Sequence, residues 1–190
     1  MQKQKVIEIS KSRCFQEEEM NMKIEIYPLE KILIDGIPVF LGMEQSAVEA
    51  VIGEGQLIGN RYYYFDSEMA IDYDDSRRIE FIEFLGGIDG SLRPEIYGVS
   101  AFDAQADEFS DLLLHKNNGE VVDTEQGYSY AFPNISVGIY REMRPSDVAE
   151  MIEEMKADGI ATENNEDLAN DMRRAMHWAA IGIGVAGYYR

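Results

Sequence analysis

The chain has 190 residues, 45% of them apolar, with eleven Tyr and eight Phe. That composition excludes a disordered polymer and is enough for a buried core, in one domain or two small lobes. Thirty-six acidic against seventeen basic residues leave a net charge of −19, the wrong sign for binding nucleic-acid phosphates. The acids suit either a solvated surface or a surface built to meet a basic partner.

Taken in order, residues 5–9 (KVIEI) and 22–27 (MKIEIY) alternate as strands do, on either side of a polar stretch holding Glu17, Glu18 and Glu19. The N-terminal segment has no apolar h-region, so no secretory signal is expected. No apolar run approaches the roughly 18 residues of a membrane-spanning helix, and no membrane contact is expected. Cys14 is the single cysteine. It cannot form an intrachain disulfide, which suits a reduced, cytoplasmic protein. Ile32 to Phe40, with Asp35-Gly36 inside, reads as a short hairpin.

The stretch from Gly42 to Phe84 is the best patterned. In GMEQSAVEAVIG, Ala47, Val48, Val51 and Ile52 form one apolar helix face, and Gly53 suits the residue after its end. Three strand-like runs follow: NRYYYF, MAIDYD and RRIEFIEF. The polar cluster Asp66-Ser67-Glu68 reads as the first hairpin loop. Centred on Ser67, it pairs Phe65 with Met69. Tyr63, Phe65, Met69 and Ile71 then share the face under the helix, and Tyr62, Tyr64, Ala70, Asp72 and Asp74 share an open face. Gly86-Gly87-Ile88-Asp89-Gly90 carries three glycines in five residues and reads as a flexible connection between units.

A second stretch repeats the pattern loosely. Asp103 is the expected N-cap of a helix with Ala106, Phe109, Leu112 and Leu113 on its stripe and Asn118-Gly119 at its stop. A tight turn at Pro133-Asn134 would pair Phe132 with Ile135 and Tyr130 with Val137. Tyr128, Tyr130, Phe132, Ile135, Val137 and Ile139 then face inward, with Ser129, Ala131, Ser136, Gly138 and Tyr140 opposite. Beyond Arg141, Pro145 opens a helix with the stripe Val148, Met151, Ile152 and Met155, ending at Gly159. Asn164 or Asn165 caps another, with Leu168, Met172, Ala175, Met176 and Ala179. The end, AAIGIGVAGYYR, reads as a strand in which Gly182 and Gly184 let another segment come close.

The chemistry-bearing residues assemble no catalytic set. His115 ends a helix, where a cation suits the dipole, and His177 beside Trp178 reads as packing. Asp72, Asp74 and Asp75 are carboxylates of the kind that hold Ca²⁺ or Mg²⁺, but their alternation and the lack of a glycine turn favour a solvated strand end. No catalytic residue, metal ligand or cofactor is therefore assigned, and the chain is not expected to be an enzyme. Tyr62, Tyr64 and Tyr140 are more informative. Tyrosine gives contact area at low entropic cost, so an open face carrying them beside Asp72 and Asp74 reads as a partner-binding surface.

Gly42-Met43, the helix positions Val48, Val51, Ile52 and Gly53, and the Tyr-rich hairpin Tyr62 to Phe65 resemble the helix-then-antiparallel-strands unit of the β-lactamase inhibitory protein and the small outer-membrane assembly lipoproteins. The likeness spans 42–84, is weaker over 96–141, and puts Glu44 where that family places a capping Thr or Ser. It implies a partner protein held on an aromatic-rich sheet face. The acidic profile is also similar to that of immunity proteins that neutralise basic toxins, in class features rather than in a motif.

The expected fold is thus α+β. Residues 1–41 supply N-terminal strands and a polar segment. Residues 42–90 and 91–144 form two tandem helix-on-antiparallel-sheet units, and 145–190 add two helices and a final strand packing on the second unit. The expected function is an acidic, bacterial-type protein-binding module, an inhibitor or immunity protein for a basic effector. The alternative is a small enzyme or ligand sensor with a pocket between the units, lined by His177, Tyr188 or Tyr189.

Overall fold

A computed structural model describes residues 22–123 and 125–190. The run 5–9, the glutamate stretch and Cys14 lie outside the described residues. Within them the chain is α+β, with four α-helices and twelve strands in two sheets.

The chain begins with strands β1 (Lys23–Tyr27), β2 (Lys31–Ile34) and β3 (Ile37–Phe40). Asp35 and Gly36 both take positive φ, 50° and 80°, so the β2–β3 hairpin turns on the Asp-Gly pair. Helix α1 (Gln45–Ile52) follows, buries Val48, and ends at Gly53 with φ 88°. Its N-cap, Glu44, makes no capping hydrogen bond; its carboxylate instead receives Arg78 Nη2 at 2.6 Å. Strands β4 (Gln56–Ile58), β5 (Arg61–Tyr64), β6 (Met69–Tyr73) and β7 (Ile79–Phe84) come next. The glycine-rich segment after them holds a short 3-10 helix, Gly87–Asp89.

Strands β8 (Arg93–Ile96) and β9 (Val99–Ser100) lead to α2 (Ala106–Asn117), then to β10 (Ser129–Phe132) and β11 (Val137–Tyr140). Gln105, not Asp103, is the residue at the α2 N-cap, and Asp103 instead accepts a hydrogen bond from Ser100 Oγ at 2.7 Å. Helices α3 (Pro145–Ala157) and α4 (Glu166–Ala175) precede the last strand, β12 (Ala180–Gly184). Of the two asparagines, Asn165 caps α4, accepting from the backbone N–H groups of Asp167 and Leu168.

One sheet has the order β3-β2-β1-β8-β9, in which β1 and β8 run parallel. The other has seven strands, β10-β11-β12-β7-β6-β5-β4, all antiparallel. Strands β4 to β7, after α1, and β10 and β11, after α2, thus belong to one sheet in which β12 lies between them, whereas β8 and β9 pair with β1 in the other. Residues of both sheets enter one buried cluster: Ile24 and Ile32 from the first, Ile71, Phe84, Val137 and Ile181 from the second, with Phe109 and Leu113 of α2 and Trp178. Such burial is worth about 1.5–3 kcal/mol per large apolar side chain.

Two hairpins differ from expectation. The β5–β6 loop has four residues, Phe65 to Glu68, so Tyr64 pairs with Met69 and Tyr62 with Ile71. This is a slip of one residue, and it exchanges the faces of β5. Phe65, Asp66 and Ser67 all take positive φ, a conformation a bulky residue such as Phe65 seldom adopts. The β10–β11 loop also has four residues, pairing Phe132 with Val137 and Tyr130 with Ile139. That slip is of two, so the expected faces survive: Phe132, Val137 and Ile139 are buried and Tyr140 is exposed.

Candidate functional site, the outer face of the seven-stranded sheet

The pairing registers define which side chains share the sheet face turned away from the core. Row by row it carries Arg61 and Tyr63 of β5, Ala70 and Asp72 of β6, and Phe81 and Glu83 of β7. It continues with Ala180, Gly182 and Gly184 of β12, Gly138 and Tyr140 of β11, and Ser129 and Ala131 of β10. Glycine and alanine dominate its centre, which leaves room for other side chains to lie directly on the strands.

The chain's own end covers part of that centre. Tyr188 stacks on Phe81 with centroids 4.5 Å apart, and Tyr189 meets both rings edge-on at 6.0 and 5.1 Å. A Cβ on Gly138 would lie 2.2 Å from the Tyr189 hydroxyl, and one on Gly182 2.2 Å from Phe81 Cζ. Glycine is required at both because an aromatic ring lies directly on the strand. Burial pushes the Tyr189 phenol well above its ordinary value, and the charges of Tyr188 and Glu83 add to this; it stays a neutral hydroxyl.

On one side of this aromatic cover sits a charged cluster. Arg61 Nε donates to Asp72 at 2.8 Å and Arg61 Nη1 to Glu83 at 2.7 Å. Burial disfavours the guanidinium charge, but the Glu83 and Asp72 carboxylates outweigh it and hold Arg61 above its ordinary value. Its third nitrogen, Nη2, is buried without a hydrogen-bond partner among the described residues. On the other side lies a pocket of about 310 Å³. Gly138 and Ala180 line its base, Tyr140, Tyr188 and Tyr189 supply aromatic wall, and Glu83 and Glu125 bring carboxylates.

Of the residues expected on the open face, Asp72 and Tyr140 are there. Tyr140 keeps 42% of its surface exposed. Tyr64 is not: it is 5% exposed, facing the core, with its hydroxyl 2.9 Å from that of Tyr73 and its ring filling the space beside Gly55. Tyr62 shares its face, accepting a hydrogen bond from Arg77 at 2.7 Å and meeting Tyr73 edge-on. Asp74 belongs to a turn, where one carboxylate oxygen accepts the backbone N–H groups of Ser76 and Arg78. A bulge between Asp72 and Tyr73 separates it from the strand rows. The one-residue slip of β5 explains the tyrosines, and Tyr63 takes the place given to them.

Sequence reasoning missed Arg61, Phe81 and Glu83, and named Tyr188 and Tyr189 only as lining of a pocket between units, not as a cover on this face. The alternate glycines 182 and 184 signalled a close approach, but not that the approaching segment is the next turn of the same chain. Tyr188 and Tyr189 line the pocket on the outer sheet face, and His177 is not among its lining residues. His177 is buried elsewhere, its Nδ1–H donating to the Ala104 carbonyl at 3.0 Å, since a carbonyl only accepts. His115 lies in the last turn of α2.

Comparison with family models, curated proteins and solved structures finds no match. No helix among the described residues is long and apolar enough to cross a membrane.

Proposed function

We propose that the chain is an acidic protein-binding module, an inhibitor or immunity protein that holds a basic effector on the outer face of the seven-stranded sheet. The observation that carries this reading is a sheet face of tyrosines, carboxylates and small residues in a chain of net charge −19. The excess acid steers a basic protein toward the molecule, and Tyr63, Tyr140 and Tyr188 supply contact area once it arrives. The resemblance of residues 42–84 to inhibitory-protein units points the same way. In this reading the action is stoichiometric and needs no turnover, cofactor or nucleic acid, and the protein works in a reduced, cytoplasmic setting.

A test is comparative capture from the native cell. Wild-type bait is compared with bait carrying Tyr63→Ala and Tyr140→Ala, and with bait carrying Glu150→Gln, Glu153→Gln and Glu154→Gln on α3. A basic protein retained by the wild type and the α3 variant, and lost by the face variant, is the expected outcome. Retention by the face variant and loss by the α3 variant would move the interface to the helices.

A second reading, a ligand sensor, has its own observation. A cavity of about 270 Å³ lies beside the 3-10 helix, lined by Gly86, Gly87, Met143, Asp171, Arg174 and Trp178. Arg174 there pairs with Asp89 at 2.6 Å, so the cavity presents a guanidinium already engaged by a carboxylate.

A further inference from the structure

We infer that the pocket beside the C-terminal tyrosines is a receptor for one cationic side chain, an arginine of the basic partner, an inference that rests on the protein-binding reading above. Its shape comes from the sheet. Gly138 and Ala180 carry no side chain large enough to fill the space between β10 and the aromatic cover. The cover is held by the stacking of Tyr188 on Phe81 and by the half-buried Tyr189, whose ring lies against Gly138. Its volume, about 310 Å³, lies at the lower end of the roughly 300–1,000 Å³ that small-molecule sites span.

The lining selects the charge of the occupant. Tyr140, Tyr188 and Tyr189 present aromatic surface, whose negative faces attract a cation. Glu83 and Glu125 bring two carboxylates to the same pocket. Glu83 already receives Arg61, but Arg61 is shared with Asp72, so the Arg61–Asp72–Glu83 group keeps one negative charge in excess. Among the described residues, no Lys or Arg lines the pocket. An anion or a carboxylate side chain would meet only like charge there. Arginine suits it better than lysine, because its planar guanidinium stacks on a ring while its edge donates to a carboxylate. The neighbouring Arg61 shows a related arrangement within the chain itself, its Cζ over the Phe81 ring at 5.9 Å from the centroid and its nitrogens bonded to two acids.

The test uses the full chain and three capped tripeptides, Gly-Arg-Gly, Gly-Lys-Gly and Gly-citrulline-Gly, the last an uncharged copy of the arginine peptide. Amide signals are followed by NMR at about 150 mM salt, where attraction to the general acidic surface is screened beyond about 8 Å. The arginine peptide is expected to shift the signals of Gly138, Ala180 and Tyr189, the lysine peptide less, and the citrulline peptide not at all. Glu125→Gln and Tyr140→Ala, both changes of exposed side chains, should each weaken the arginine peptide about two- to fivefold, the loss of one exposed cation contact. Equal response to arginine and citrulline, or shifts centred on α3, overturns the inference. So does a silent pocket, even where the captured basic protein still depends on Tyr63, in which case the broader binding reading survives. Peptide shifts in the pocket with no basic protein captured would uphold the pocket and count against the broader reading.

Discussion

The ring of Tyr188 lies parallel to that of Phe81, 3° apart in plane and 4.5 Å between centroids, across the backbone of Gly182 and Gly184. Phe81 and Tyr188 belong to segments about a hundred positions apart, and their stack ties the chain's end to the middle of the sheet. Two aromatic rings in such an offset pair contribute about 0.5–1.5 kcal/mol beyond the area they bury.

Gly182→Ala should therefore be destabilising although it adds one methyl group, because its Cβ would lie 2.2 Å from Phe81 Cζ and 3.2 Å from the Tyr189 hydroxyl. The expected loss is about 1–3 kcal/mol, as for overpacking in a filled site. Thermal or urea denaturation measures it. Gly36, by contrast, has no neighbour within reach of a Cβ, but its positive φ makes it a poor control. Ala131→Ser on the same face, where the change is small, should stay within about 0.5 kcal/mol.

Tyr64 and Tyr63 should separate folding from binding. Tyr64 is buried beside Met69 and Val48 in the core cluster, so Tyr64→Ala should cost about 3–5 kcal/mol of stability, the range for a buried aromatic. Phe132→Ala, 1% exposed, should cost the same. Tyr63→Ala should leave the denaturation midpoint nearly unchanged and lower affinity for the partner. Urea titration of the three variants checks the order. A Tyr64→Ala protein as stable as the wild type would return Tyr64 to the outer face.

How much of this was legible follows from what periodicity can and cannot carry. The helix stripes were readable in part: one member or more of each is buried, Val48 in α1, Phe109 in α2, Val148 in α3 and Leu168 in α4, while Met176 lies past the end of α4 and is exposed. The β10–β11 faces were readable because a slip of two leaves alternation intact. The β5–β6 faces were not, because three adjacent tyrosines offer no alternation and the polar cluster does not reveal that Phe65 enters the loop. The meeting of Arg61, Asp72 and Glu83 required strand order, and β12 inserts between β7 and β11 from a hundred residues downstream of β7. Local pattern holds no record of that pairing.

Asp147 sets an acid limit on the start of α3. Arg144 binds its carboxylate through the side chain, at 2.7 Å from Nη2, and through the backbone N–H, also at 2.7 Å; the Tyr128 hydroxyl donates at 2.8 Å. These bonds, the Arg144 side chain first, hold the Asp147 carboxyl far below its ordinary value of 3.8. The folded-state pKa is depressed, so the stabilisation is complete above the unfolded value and fades as pH falls below about 3.9. Asp147→Asn should lower the melting temperature at neutral pH, and the difference should shrink as pH falls below about 4. Melting curves of both proteins from about pH 2 to about pH 7, a range that spans the linkage, test the sign. A difference that grows toward low pH would contradict the assignment.

The last prediction concerns binding kinetics. Asp72 is engaged by Arg61, and Asp74 holds its own turn, so neutralising either changes structure as well as charge. Asp75 and Glu80 are exposed at the same end of the sheet, and no side-chain hydrogen bond among the described residues involves them. Asp75→Asn with Glu80→Gln should slow association with the basic partner, about two- to tenfold at low salt, and flatten its salt dependence, because exposed charges act mainly by steering the encounter. Tyr140→Ala should leave association almost unchanged and speed dissociation, by about tenfold or more if its ring sits in a dry part of the interface. Surface-immobilised partner, titrated over a salt series, separates the two. If the charge variant instead speeds dissociation while Tyr140→Ala slows association, the acids are in contact and the tyrosine is at the rim. The interface would then centre on the β6–β7 turn and not on the glycine-floored middle of the sheet.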